Sequence, residues 1–186
     1  MTRTLVFGGA RSGKSALAER LAQESGKDVV YLATSHAGDG EMALRIAHHR
    51  ERRPPHWQTV EEATALAATL ARLCAPERIV LVDCLTLWLS NLLFSGQAEY
   101  PEVGPIDLPP LFMSERAALL AWLEQPAACD VIFVSNEVGM GIVPYGAVSR
   151  AFTDEAGRLN QDVAARCDRV LLVAAGLPLA LKGAPC

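Results

Sequence analysis

The sequence predicts an α/β fold of the P-loop NTPase type, a mostly parallel sheet with helices on both faces, and three observations carry that prediction. Short apolar runs rich in β-branched residues recur at 5–7, 29–32, 79–82, 131–134 and 170–173. Longer stretches of helical composition separate them, which is the alternation of parallel strands joined by crossover helices. The first run then enters a glycine-rich turn, Gly8-Gly9-Ala10-Arg11-Ser12-Gly13-Lys14-Ser15, that opens onto a helix-forming stretch.

Taken in order, the first strand covers 5–7 and feeds the glycine turn, and a helix covers 14–24. The second strand covers 29–32, and a helix is expected over 41–53, ended by Pro54-Pro55 because proline removes a backbone donor and restricts the residue before it. A further helix is expected over 61–73, with Glu61 placing its charge at the helix N-terminus. The strand at 79–82 ends on Asp83 and is followed by a helix over 85–94. Residues 95–110 hold Gly96, Gly104 and four prolines, so they read as an exposed connector or a lid over substrate. Helices over 111–124 and 147–166 flank the strand at 131–134. The last strand, 170–173, precedes a short tail, 177–181, that reads as an edge strand.

A length of 186 residues fits one domain, residues 1–186, with a substantial core. The net charge of −4 argues against a general nucleic-acid or membrane-surface binder, which needs a positive field. No segment offers the roughly 18 apolar residues of a membrane span, and no cleavable signal pattern precedes the first strand. A cytoplasmic protein is therefore expected. Its five cysteines (Cys74, Cys84, Cys129, Cys167 and Cys186) form no C-x-x-C pair and read as reduced, mostly buried thiols.

The glycine turn has the chemistry of a phosphate cradle. Residues without Cβ let successive N–H groups converge on an anion, and the helix starting at Lys14 adds the positive end of its dipole. Lys14, one of only three lysines, suits the β and γ phosphate oxygens, and the Ser15 hydroxyl suits a bridging Mg²⁺.

A second constellation lies at 41–53, which holds four arginines and two histidines. On a helix, Arg45, His48, His49 and Arg52 share one face at i, i+3, i+4 and i+7, while Met42 and Ile46 mark another that can pack. A solvated basic surface is one reading. Zinc is poorly served, because the spacing to His36 or His56 is not a usual ligand pattern and the arginines repel a cation. A nucleophilic or acid–base role toward a polyanion is the third reading, since a neutral imidazole attacks phosphorus and nearby arginines disperse the charge that develops.

Other candidates sit at strand ends, where a parallel sheet presents its ligand crevice. Asp83 suits a Mg²⁺ ligand or a helix N-cap. Ala33, Thr34 and Ser35 end the second strand with two hydroxyls that suit a nucleotide or a cap. Asn136 and Glu137 open a glycine-containing loop, and Glu137 serves either as base toward a substrate hydroxyl or as a turn former.

The phosphate loop, Ala33-Thr34-Ser35, Arg45-Ile46-Ala47-His48-His49, Arg53-Pro54-Pro55-His56-Trp57 and Asn136-Glu137-Val138-Gly139-Met140-Gly141-Ile142-Val143-Pro144 together resemble the bifunctional adenosylcobinamide kinase/adenosylcobinamide-phosphate guanylyltransferase family of cobalamin biosynthesis, over nearly the whole chain. The resemblance implies two reactions: ATP or GTP phosphorylates the aminopropanol hydroxyl of adenosylcobinamide, and GTP then guanylylates a histidine that hands GMP to adenosylcobinamide phosphate. It implies His48 as the guanylylated residue, a choice over His49 that spacing does not make. It also implies nucleotide contacts at Gly8, Gly9, Ala10, Arg11, Ser12, Gly13, Lys14, Ser15, Ala33, Thr34, Ser35, His49, Arg50, Glu51, Arg52, Glu61 and Asp83, with Mg²⁺ on Ser15 and Asp83, and a homotrimer with active sites near subunit contacts. Asp83 stands where some members of that family carry Glu, which keeps the charge and shortens the reach. A small-molecule kinase without guanylyl transfer is the alternative reading, and a nucleotide-dependent binding module a more distant one.

Overall fold

The computed structural model describes residues 1–35, 54–96 and 100–184. Seven strands form one sheet: β1 (Arg3–Gly8), β2 (Asp28–Ala33), β3 (Gln58–Glu61), β4 (Arg78–Asp83), β5 (Asp130–Asn136), β6 (Arg169–Ala174) and β7 (Leu177–Lys182). Their spatial order is β3-β2-β4-β5-β1-β6-β7, and every neighbouring pair is parallel except β6 with β7. The described helices are α1 (Lys14–Glu24), α2 (Leu66–Leu73), α3 (Leu85–Leu93), α4 (Pro110–Glu124) and α5 (Ala147–Arg166).

Both faces of the sheet are buried, which is why its inner strands read as nearly continuous apolar runs. Side chains alternate between two cores because successive Cβ atoms point to opposite faces. Val30, Leu32, Val80, Val82, Val131 and Phe133 face α2, α3, α4 and α5, with Trp88 and Phe112 fully buried among them. Val29, Tyr31, Ile79, Leu81, Ile132 and Val134 face the Leu17, Ala18 and Ala22 stripe of α1. Helices on both faces are therefore observed as expected.

The expected helix over 61–73 is corrected. Glu61 ends β3, which pairs in parallel with β2, and the helix begins only at Leu66. An edge strand whose residues are mostly exposed carries no apolar alternation to announce it. The turn between them is held by the Glu62 carboxylate, which accepts the amide N–H of Thr64 at 2.9 Å and of Ala65 at 2.8 Å. Its pKa is lowered by these bonds and by the Thr64 and Thr69 hydroxyls, although burial, the largest single influence, pushes the other way. The tail expected as an edge strand is β7, antiparallel to β6.

The cysteine expectation is corrected as well. Cys74, at the end of α2, and Cys129, just before β5, have Cα atoms 5.0 Å apart and are joined by a disulfide, whereas Cys84 and Cys167 are free and buried. A separation of 55 residues hides the pairing in the sequence, because only the adjacency of β4 and β5 brings the two ends together. No described helix is long and apolar enough to cross a membrane. The helix expected over 41–53 lies outside the described residues.

Candidate functional site

One edge of the sheet collects the C-terminal ends of β1 to β5. Strand register sets Ala33 opposite both Glu61 and Asp83, and Gly8 opposite Asn136. Topology therefore brings the phosphate loop, 33–35, Glu61, Asp83, Asn136 and Glu137 to a common rim, where an open parallel sheet forms its ligand crevice.

The loop itself is closely fitted. A Cβ on Gly8 would lie 2.3 Å from the Val173 carbonyl oxygen, so no other residue fits without displacing β6. Gly13, at φ +97°, turns the chain into α1, and its Cβ would meet the Gly176 Cα at 3.1 Å. The β6–β7 turn supports the loop from this side, with the Gly176 amide donating to the Ser12 carbonyl oxygen at 2.8 Å. Gly9, Ala10 and Arg11 are exposed, and Arg11 adopts the left-handed region at φ 56°. The Ser12 hydroxyl is buried without a hydrogen-bond partner, a polar atom that an anion in the cradle would satisfy.

Lys14 is buried, and its ammonium donates to the Gly9 carbonyl oxygen at 3.1 Å. Burial draws its pKa down from the usual lysine value, with Cys84 and Asp83 pulling the other way. Asp83 thus sits close enough to be felt by Lys14, and the Tyr31 hydroxyl donates to its Oδ2 at 2.8 Å. Burial foremost, then the Asp83 charge, pushes the thiol of the neighbouring Cys84 up to about 12. Ser15, the second residue of α1, is half-buried at the same helix N-terminus.

The residues at 33–35 divide. Ala33 and Thr34 are buried and Ser35 is half-buried. The Thr34 hydroxyl faces inward onto the Cys84 backbone, and the Thr34 carbonyl accepts from the Asn91 side chain at 2.7 Å. Asn136 is held by its own network. Its amide donates to the Thr86 hydroxyl at 2.7 Å, its carbonyl accepts from Asn160 at 3.1 Å, and Asn160 accepts in turn from Ser135 at 2.6 Å. Glu137 donates its amide to the Gly8 carbonyl at 3.0 Å, which ties the following loop to the phosphate cradle. Its carboxylate accepts the Gly139 amide at 2.5 Å, the turn-forming role weighed above.

His48, His49, Arg50, Glu51 and Arg52 lie outside the described residues. His56 is exposed, and among the described residues no group of three His, Cys, Asp or Glu side chains is arranged to hold a metal. Tyr31, Asn91, Thr86 and Asn160 escape sequence reasoning, since each acts through a partner at least 20 residues away in the chain. The alternation of β2 puts Tyr31 on the α1 face of the sheet, which is the only trace of it in the sequence.

Fold and site together define a P-loop nucleotide-binding α/β protein. The model of the cobinamide kinase/cobinamide phosphate guanyltransferase family matches residues 4–181, and the chain belongs to that family. It is 55% identical over 184 residues to the bifunctional adenosylcobalamin biosynthesis protein CobP of Pseudomonas aeruginosa, covering 98% of this chain and 99% of that one. The bifunctional adenosylcobalamin biosynthesis protein CobU of Escherichia coli is 43% identical over 180 residues, covering 96% and 98%, and that of Salmonella typhimurium 41% over 179 residues, covering 96% and 98%. Among solved structures, a type III secretion system ATPase matches with a TM-score of 0.57 at 14% identity, covering 96% of this chain and 56% of that one. An ATP synthase subunit, NeqB from Nanoarcheaum equitans, matches with a TM-score of 0.54 at 10% identity, covering 93% and 45%. The chain thus spans about half the length of those two proteins, and the likeness concerns the fold.

Proposed function

We propose that this chain phosphorylates the aminopropanol hydroxyl of adenosylcobinamide with ATP or GTP and then converts the product to adenosylcobinamide-GDP with GTP. The observation that carries this reading is a glycine loop over the buried ammonium of Lys14, with Asp83 on the same rim of strand ends, in a member of a kinase/guanyltransferase family. In the kinase step Lys14 and the loop amides hold the triphosphate while the substrate hydroxyl attacks the γ phosphorus. Glu137 at the rim takes the hydroxyl proton; a phosphorylation rate unchanged in Glu137→Gln would dismiss that role. Ser15 and Asp83 offer the hard oxygen donors that Mg²⁺ prefers, and the ion when bound neutralises charge on the phosphate oxygens.

In the second step an imidazole nitrogen of His48 attacks the α phosphorus of GTP. An N–P bond forms, the P–O bond to pyrophosphate breaks, and pyrophosphate leaves. A phosphate oxygen of adenosylcobinamide phosphate then attacks the same phosphorus and the N–P bond breaks, which frees the imidazole. His49, Arg50, Glu51 and Arg52 line the nucleotide beside His48, and Glu61 accepts hydrogen bonds from the guanine edge or the ribose. Because γ transfer and α attack ask for different poses, the nucleotide or the segment bearing His48 shifts between steps. The enzyme works as a cytoplasmic homotrimer.

Incubation with α-labelled GTP tests the covalent step. An acid-labile, base-stable label that maps to residue 48 and disappears in His48→Ala supports it. An unlabelled protein that still phosphorylates adenosylcobinamide would leave a kinase alone.

A further inference from the structure

The loop after β5 and the face of α5 enclose a cleft of about 420 Å³ that the nucleotide chemistry does not use. Its two walls differ in kind. The loop contributes Val138, Ile142 and Val143, exposed by 38%, 98% and 76%, an unusual display of apolar surface on a connection. The helix contributes Arg150, Thr153, Asp154, Arg158 and Gln161, a polar and charged wall spread over three turns of one face.

At the floor lies Gly157, in the middle of a 20-residue helix. Glycine there weakens a helix relative to alanine, and neither backbone nor packing asks for it: its φ is not positive, and a Cβ would meet nothing within 4 Å. Gly141 in the opposite wall is equally unconstrained. Two glycines that the fold does not require, facing one cleft, keep volume open for something else.

Both walls are anchored where the phosphate loop begins. Glu137 starts the apolar loop and bonds Gly8 at 3.0 Å, Asn160 beside Gln161 bonds the Asn136 carbonyl at 3.1 Å, and Arg150 of α5 closes the far end of the loop by donating to the Tyr145 carbonyl. The cleft is therefore walled by two elements that are each tied to the rim at one end.

We infer that this cleft seats the edge of the corrin macrocycle, its apolar ring surface against Val138, Ile142 and Val143 and its peripheral amides along Thr153, Asp154 and Gln161. The inference rests on the proposed reaction. A volume of about 420 Å³ falls within the size of small-molecule sites and holds the ring edge rather than the whole substrate.

Equilibrium dialysis of cobinamide, read by its corrin absorbance, against wild type, Gly157→Leu and Ile142→Ser tests the assignment, with GTP affinity and thermal unfolding measured alongside. Filling the floor should weaken cobinamide binding at least tenfold with GTP affinity held within twofold and the melting temperature not lowered, and Ile142→Ser should weaken it severalfold. Should Gly157→Leu fail to fold, Gly157→Ala decides, with an expected loss of about threefold at equal or higher stability. Cobinamide binding unchanged in the variants that fold, alongside binding by wild type, overturns the cleft and leaves the reaction standing. Wild type that neither binds nor phosphorylates cobinamide overturns the reaction and the cleft with it.

Discussion

The Thr34 hydroxyl bonds the backbone of Cys84 twice, donating to its carbonyl oxygen at 2.7 Å and accepting from its amide at 2.8 Å. This clamp fastens the end of β2 to the end of β4 immediately after Asp83, whose charge is felt by Lys14. Thr34→Val keeps the shape and orphans the buried Cys84 amide, while the Cys84 carbonyl keeps the Trp88 amide as donor at 3.1 Å, so the loss is about 1–3 kcal/mol. Urea unfolding should report that loss, while Thr34→Ser, which restores the hydroxyl, should recover most of it. A weakened clamp also frees Asp83, so the KM for nucleotide should rise in Thr34→Val more than in a variant of equal instability elsewhere.

Gly8 is required by space more than by conformation. Its missing Cβ would stand 2.3 Å from the Val173 carbonyl oxygen, a backbone atom that cannot rotate away. Gly8→Ala should therefore push β1 and β6 apart at the mouth of the cradle and cost about 1–3 kcal/mol, as overpacking does. Because β1 carries the loop, nucleotide affinity should fall with it. A variant of normal stability and normal nucleotide affinity would show that the strands yield easily.

The inner strands were legible because burial on both faces makes them apolar throughout, as 79–82 and 131–134 are. β3 was not, since Gln58 to Glu61 lie at an edge with little to bury, and local composition there favours a helix that begins five residues later. The rim residues divide in the same way. Lys14, Ser15 and Asp83 announce themselves through position in the chain, next to glycines or at the end of an apolar run. The bond from Tyr31 to Asp83 depends on the lateral pairing of two strands whose partners lie 52 residues apart, and no local pattern encodes that. Thr34 was legible as a rim residue, but the direction of its hydroxyl required the neighbouring strand.

Cys74 and Cys129 join the edge of the sheet opposite the phosphate loop, just after α2 and just before β5. Their bond closes a long loop, and releasing it should lower stability by about 2–4 kcal/mol, chiefly by freeing the unfolded chain. Distance from the rim separates this from catalysis. Cys74→Ser with Cys129→Ser should unfold at lower urea while its phosphorylation rate at 25 °C stays within about twofold of wild type, and reductant should reproduce the shift in the unmodified protein but not in the double variant. A large drop in rate would place the bond in the mechanism.

Lys14 carries opposite consequences for stability and for function. Burial lowers its pKa in the folded state below the ordinary 10.5, so the unfolded chain binds the proton more tightly. Holding the charge then costs stability at neutral pH, and stability rises as pH climbs from the lowered folded value towards the unfolded one. Lys14→Met removes that cost and the slope together. The variant should unfold at equal or higher denaturant at pH 7 and lose the rise with alkaline pH. Its ammonium is nevertheless the one buried cation beneath the loop among the described residues close to Asp83, and removing a preorganised charge from a developing phosphoryl transfer costs about 10²–10³ in rate. Steady-state phosphorylation should therefore collapse in a protein that is no less stable. A variant that lost both stability and rate would mean that Lys14 holds the loop together instead of holding phosphate.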